Sequence, residues 1–288
     1  MAKNASVIEY FEASDGQRLA LRRYLPAMEA RADVVVLHGI ISHSGWYDIS
    51  SIAMADRGFD VHALDRRGSG LNAGAPGDID SLRTWIRDVI DYLNHIRKPD
   101  RPLFLLGISW GGKLAPAVAR ARPDLLSGLG MLCPGIFAHQ QPGWLKRLGL
   151  TLSGRLGIHG KRVSIPLQKP ELFTDSPRWQ AYIRNDPLTL RRITLRFARQ
   201  DWQLTQHTRS CGRYLHLPTL LVLAGRDRIV DNLRTKRYFT SIASSDKTLL
   251  EYSSGAHTLE FESDVDRYID DLAGWLGHQT GKARRGGF

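Results

Sequence analysis

The run Leu103–Lys113 constrains this chain more than any other stretch. Leu103-Phe104-Leu105-Leu106 is an apolar run that reads as a buried strand, and it leads directly into Gly107-Ile108-Ser109-Trp110-Gly111. Leu114, Ala115, Val118, Ala119 and Ala121 then read as a helix. A strand, a sharp G-x-S-x-G turn and a helix form a nucleophile elbow, in which the Ser takes a strained backbone and is exposed above the sheet edge. Side chains two residues before and after that Ser would clash, so Gly107 and Gly111 are expected there. By itself the pattern also fits a Gly-rich turn with no chemistry, and the rest of the chain has to decide.

Seven further stretches complete an alternating pattern. Val7–Ala13 and Leu19–Leu25, joined at Asp15-Gly16, read as a hairpin. Val34–Leu37, Phe59–Leu64, Leu129–Cys133, Thr219–Ala224 and Thr248–Tyr252 read as further strands. Between them fall helical spacings at Trp46–Ala55, at Leu82, Trp85, Ile86, Val89, Ile90 and Leu93, near Asn232–Tyr238, and at Val265, Tyr268, Ile269, Leu272 and Trp275. Eight strands alternating with helices predict an α/β architecture, a mostly parallel sheet flanked by helices.

The rhythm breaks between Ile136 and Leu215. Helical pieces at Trp144–Leu156 and Pro187–Trp202 are joined there by polar, Pro-containing connections. We read residues 136–213 as an inserted, mainly helical cap. Residues 1–135 and 214–280 then form the core, and 281–288 a basic tail expected to be disordered. Leu190, Ile193, Phe197 and Leu204 are expected near one face of a helix-like segment, with Arg191, Arg192, Arg196 and Arg199 around the rest.

Charge is concentrated in the same segment. The chain carries a formal +11, and Gly135–Arg213 holds fourteen basic residues against four acids. That excess fits either a solvated back of a packed cap or attraction of an anionic surface or substrate. No nucleic-acid motif accompanies it, so nucleic acid is not an expected partner. The longest apolar run is far short of a membrane span, Met1–Ser6 lacks the start of a secretory signal, and Cys133 and Cys211 fit no metal spacing. A cytoplasmic protein without metal or cofactor is expected.

A serine hydroxyl needs a base, a group to orient that base, and donors for the oxyanion. Asp227 follows the strand Thr219–Ala224 and His257 follows the strand ending at Tyr252. With Ser109 they keep the chain order Ser, acid, His, all at the carboxyl edge of the sheet. Singly, a loop His or Asp is an ordinary surface or turn residue; together the three form one candidate triad. Asp231 is the second candidate acid, better read as a helix cap. The backbone N–H groups of Trp110 and of Ile40, after His38-Gly39, are the candidate oxyanion donors.

These pieces resemble the α/β-hydrolase superfamily, and within it the monoacylglycerol lipase, lysophospholipase and serine aminopeptidase group. The matching residues are His38-Gly39 with His43-Ser44-Gly45-Trp46-Tyr47, Gly58–Gly70 with its Asp65-Arg66-Arg67-Gly68 core, Gly107–Gly112, Asn185-Asp186-Pro187-Leu188, Gly225–Val230 and Ala256-His257-Thr258-Leu259. The resemblance spans about Val7 to Leu276. Ile41-Ser42 stand where the group often has Gly-Glu, and Ser69 where it often has His. It implies an ester hydrolase working through an acyl-enzyme on a monoacylglycerol or lysophospholipid. Trp144, Leu148 and Phe173 are candidates to line the acyl pocket. A C–C, thioester or amide hydrolase acting on an anionic substrate with the same triad is the alternative, and a non-catalytic binding protein a third.

Overall fold

The structure, a computed structural model, describes residues 6–140, 143, 149–150, 153 and 157–286. Strands β1 (Val7–Glu12), β2 (Arg18–Tyr24), β3 (Ala32–Leu37), β4 (Phe59–Leu64), β5 (Leu103–Ile108), β6 (Gly128–Leu132), β9 (Thr219–Ala224) and β10 (Lys247–Tyr252) form one eight-stranded sheet. Its order is β1-β2-β4-β3-β5-β6-β9-β10. β2 runs antiparallel to both its neighbours, and the pairs from β4 to β10 are parallel.

The apolar runs are buried on both faces because helices cover both faces. Successive residues of one strand point into different cores: Val35 and Leu37 into one, Val34 and Val36 into the other. Helices α2 (Leu82–Ile96) and α3 (Gly111–Ala121) pack on the first face; α1 (Asp48–Asp56) and α7 (Val265–Gly286) pack on the second. Helix α6 (Asn232–Thr240) starts at Asp231, whose carboxylate accepts the Arg234 N–H, the capping role expected for it.

Between β6 and β9 the chain leaves the sheet. Strands β7 (Arg162–Ser164) and β8 (Arg192–Thr194) form a short antiparallel ladder, flanked by helices α4 (Pro177–Asn185) and α5 (Leu195–Arg209). Two expectations are corrected here. Residues 187–194 are not helical: Leu190 donates its N–H to Ile41, and Ile193 sits in β8. Helix α5 begins only at Leu195, where the Thr194 hydroxyl accepts the Phe197 N–H. Pro187 and the β-branched pair Ile193-Thr194 favour extended backbone over helix.

The tail is the second correction. Helix α7 continues through Gly286 instead of ending near residue 280. Lys282 pairs with Asp246, Arg284 donates to the Arg31 carbonyl, and Thr280 bonds back to Leu276. Basic side chains in a last helical turn also suit the negative end of the helix dipole. The helix expected over Trp144–Leu156 falls almost wholly outside the described residues, and Trp144 and Leu148 with it.

Candidate active site

Ser109 follows β5 with φ of 53°, a left-handed backbone that only a tightly held turn imposes on a non-glycine residue. Its N–H donates to Leu132, and its carbonyl accepts the N–H groups of Gly112 and Gly135. A methyl on Gly107 would overlap the Gly111 carbonyl, and one on Gly111 would overlap the Leu37 carbonyl. The elbow is therefore wedged between β3 and β6, and both glycines are needed for the close approach the sequence implied.

Register brings the other two residues to it. Leu37 pairs with Gly107, Ile108 with Leu132, and Ala224 with Tyr252, so β3, β5, β6, β9 and β10 end along one rim. The Ser109 Oγ lies 2.9 Å from His257 Nε2, and His257 Nδ1 lies 2.7 Å from Asp227 Oδ2. The other Asp227 oxygen accepts the N–H groups of Ile229 (2.8 Å) and Val230 (2.9 Å). Burial works against the Asp227 charge, but the adjacent imidazole and these donors hold the carboxyl below the usual carboxylate range. The acid thus binds the Nδ1–H and leaves Nε2 facing the serine as an acceptor.

Phe173 sits against this imidazole, with ring centroids 5.9 Å apart, and its carbonyl accepts the Thr258 N–H. It is buried between His257 and Trp46.

The loop His38–Ile41 passes over Ser109. A methyl on Gly39 would sit 3.7 Å from the serine Oγ. His38 is a neutral imidazole of fixed tautomer: Nδ1–H donates to the Gly39 carbonyl at 2.7 Å, and Nε2 accepts the Arg66 N–H at 3.0 Å. Burial, with Arg66 nearby, pushes it well below the ordinary histidine range. At the start of α3, Asp201 of helix α5 accepts the Trp110 indole N–H at 2.6 Å and pairs with Lys113.

Two further histidines have partners away from Ser109. His43 binds Asp186 of the inserted segment, and His62 lies inside β4 against Tyr92. His62 also approaches Asp33 and Asp60, a cluster with the spacing of a cation site. Arg101 fills both oxygens of Asp33 and Arg23 both of Asp60, so the groups a metal would need are taken by guanidinium. The sequence placed Ser109, Asp227 and His257 at strand ends, and the structure brings these three side chains together; the sequence assigned no role to Arg66, Lys113, Asp186 or Asp201. The signals were present in Asp65-Arg66-Arg67-Gly68 directly after β4 and in Asn185-Asp186-Pro187-Leu188.

This strand order, with a serine elbow after β5 and an acid and a histidine after later strands, is that of an α/β-hydrolase. The chain belongs to the Hydrolase_4 family, described as serine aminopeptidase, S33, whose model matches residues 28–264. It is 28% identical to the mouse monoglyceride lipase over 95% of this chain and 91% of that protein. It is 27% identical to the human monoglyceride lipase over 94% and 90%. Among solved structures, a Paleococcus ferrophilus monoacylglycerol lipase superposes with a TM-score of 0.81 at 23% identity, covering 91% of this chain and 99% of that one. A soluble variant of the Saccharomyces cerevisiae monoglyceride lipase gives 0.83 at 18% identity, covering 96% and 97%. Both structures share the fold.

Proposed function

We propose that this protein is a serine hydrolase that cleaves carboxylic esters of monoacylglycerol or lysophospholipid type. The observation that carries this reading is the unbroken hydrogen-bonded chain Ser109–His257–Asp227. Ser109 Oγ attacks the ester carbonyl while His257 Nε2 takes its proton. Asp227 orients the imidazole and stabilises the imidazolium. The backbone N–H groups of Ile40 and Trp110 receive the oxyanion, each contributing about 10²–10³ in kcat. His257 then protonates the departing glycerol oxygen, and water, activated by the same imidazole, releases the fatty acid.

The monoglyceride lipases among the relatives support this substrate class. Residues 136–213 act as a cap over the rim, and Phe173, packed on His257, borders the acyl site. The free, buried thiols of Cys133 and Cys211 support a reducing compartment such as the cytoplasm. Among the described residues no helix is long and apolar enough to cross a membrane. The net +10 of the cap segment supports peripheral contact with anionic lipid. Binding to anionic but not neutral vesicles, lost at high salt, checks that contact.

The deciding experiment compares wild type with Ser109→Ala on a panel of monoacylglycerols, lysophospholipids, acyl-CoA thioesters and carboxylate-bearing amides. The expected result is highest kcat/KM on monoacyl esters and at least ~10³-fold loss in the variant. Near-normal turnover by Ser109→Ala, or preference for a non-ester, overturns the assignment.

A further inference from the structure

We propose that Arg66 is a positioning residue that aims the oxyanion loop at Ser109. The inference rests on the reading of Ile40 and Trp110 as the two oxyanion donors.

Arg66 lies two residues beyond the carboxyl end of β4 and is buried. Its Nη1 donates to the Gly39 carbonyl at 3.2 Å and its Nη2 to the Ile40 carbonyl at 3.0 Å. The same Nη2 also donates to the Ser69 hydroxyl. The Gly39 carbonyl therefore takes two donors, Arg66 Nη1 and the His38 Nδ1–H. The Gly39–Ile40 peptide is trans and planar, so its carbonyl and the Ile40 N–H point in opposite directions. Holding that carbonyl on Arg66 turns the Ile40 N–H to the other side. Ser109 borders this loop: its Cβ and Oγ lie 3.4 and 3.7 Å from a methyl built on Gly39.

The same guanidinium also braces the second donor. It stacks over the Trp110 ring, 4.3 Å from the centroid, with Phe197 of helix α5 at 5.4 Å. Among the described residues Arg66 makes no ion pair. The Asp65 carboxylate is used by the N–H groups of Ser44 and Leu71, and that of Asp201 by Trp110 and Lys113. A guanidinium buried without a carboxylate costs stability that a packed apolar side chain would not. Its fork matches two adjacent carbonyls in a way an ammonium cannot, since the five N–H donors of arginine are fixed in one plane. The position takes a serine neighbour, Ser69, as a third acceptor for that fork.

The test uses the full chain and the variants Arg66→Met and Arg66→Lys, with active sites counted by fluorophosphonate labelling. Monoacylglycerol kcat and KM are measured, together with inhibition by a long-chain trifluoromethyl ketone and its methyl ketone counterpart. Only the fluorinated ketone is trapped as a hemiketal. Ser109 Oγ bonds to its carbonyl carbon, the proton passes to His257 Nε2, and the former carbonyl oxygen becomes the oxyanion. In Arg66→Met we expect kcat to fall about 10- to 100-fold, less than complete loss of one donor, with KM within about threefold. The trifluoromethyl ketone should weaken by a similar factor and the methyl ketone stay unchanged. Arg66→Lys, which keeps the charge but not the fork, should fall between. A folded Arg66→Met with kcat and both inhibition constants within about twofold of wild type overturns the inference. So does equal weakening of both ketones, which marks a merely structural role. If Arg66→Met does not fold, Arg66→Lys is judged by the same two criteria. If wild type itself binds both ketones equally, the oxyanion reading fails first, and this inference with it.

Discussion

His43 and Asp186 stand 143 residues apart in sequence and are joined by a hydrogen bond of 3.1 Å between the imidazole Nε2 and the carboxylate Oδ2. His43 Nδ1 accepts the Gly45 N–H, which fixes the tautomer and leaves Nε2–H to donate. Asp186 also accepts the Trp46 indole N–H at 2.8 Å, the Thr189 hydroxyl at 2.9 Å and the Leu188 N–H at 2.9 Å. One carboxylate thus fastens the inserted segment to the loop that follows Ile40.

Removing that carboxylate should loosen both parts. Asp186→Ala strands three buried donors and is expected to cost about 2–3 kcal/mol in urea unfolding. Burial works against the Asp186 charge, but the His43 and Trp46 donors hold its carboxyl below the ordinary range. The stabilisation is therefore complete above the unfolded value near 4 and is lost as pH falls through the depressed native value. Wild type should lose stability relative to Asp186→Asn as the solution is acidified below pH ~4. Parallel acid-unfolding curves for the two proteins would contradict this.

The elbow should tolerate no side chain at residue 111. Gly111→Ala places a methyl onto the Leu37 carbonyl, backbone of a strand buried on both faces. We expect a loss of more than about 3 kcal/mol and loss of fluorophosphonate labelling together. A variant that folds normally yet fails to label would separate stability from chemistry and argue against this account.

Glu260 should make stability fall with rising pH. Its Oε1 accepts the Ser50 N–H near the start of α1 at 2.8 Å, and its buried Oε2 has no partner among the described residues. Burial raises this carboxyl from 4.5 to about 7. Between those values the native state holds a proton that the unfolded chain has released, so stability is full below about 4.5 and declines toward 7. The gap corresponds to about 3 kcal/mol. Glu260→Gln should remove that component, measured as the difference between its urea midpoint shifts at pH ~5 and pH ~8. An unchanged pH slope would show that the carboxylate is accommodated charged.

Asp227→Asn should leave the fold intact, because an amide oxygen can still accept the Ile229 and Val230 N–H groups. It no longer selects the Nδ1–H tautomer, so Nε2 loses its role as acceptor. We expect kcat to fall about 10³–10⁴-fold with little change in KM. A loss under tenfold would move the acid elsewhere, to Asp231 first.

Most of the sheet could be read from runs such as Val34–Leu37 and Thr219–Ala224, because burial on both faces makes such runs almost wholly apolar. The rim positions of Ser109, Asp227 and His257 followed from strand ends plus chain order. The inserted segment was less legible. Its pieces are short, its backbone N–H groups bond to distant carbonyls such as those of Ile41 and Gly77, and β7 and β8 have three residues each. The tail was misread because Gly281 and the basic residues suggested disorder, while contacts to Asp246 and Arg31 extend the helix.

The sequence by itself determined where the sheet strands end and which serine, aspartate and histidine follow them, because periodicity and turn chemistry act over a few neighbouring residues. Only the tertiary structure decided that His257 Nε2 meets Ser109 at 2.9 Å, that Asp186 grips His43, and that Arg66 holds two loop carbonyls. Those contacts depend on strand register and on how a buried charge finds acceptors once water is excluded, and neither is encoded in local spacing.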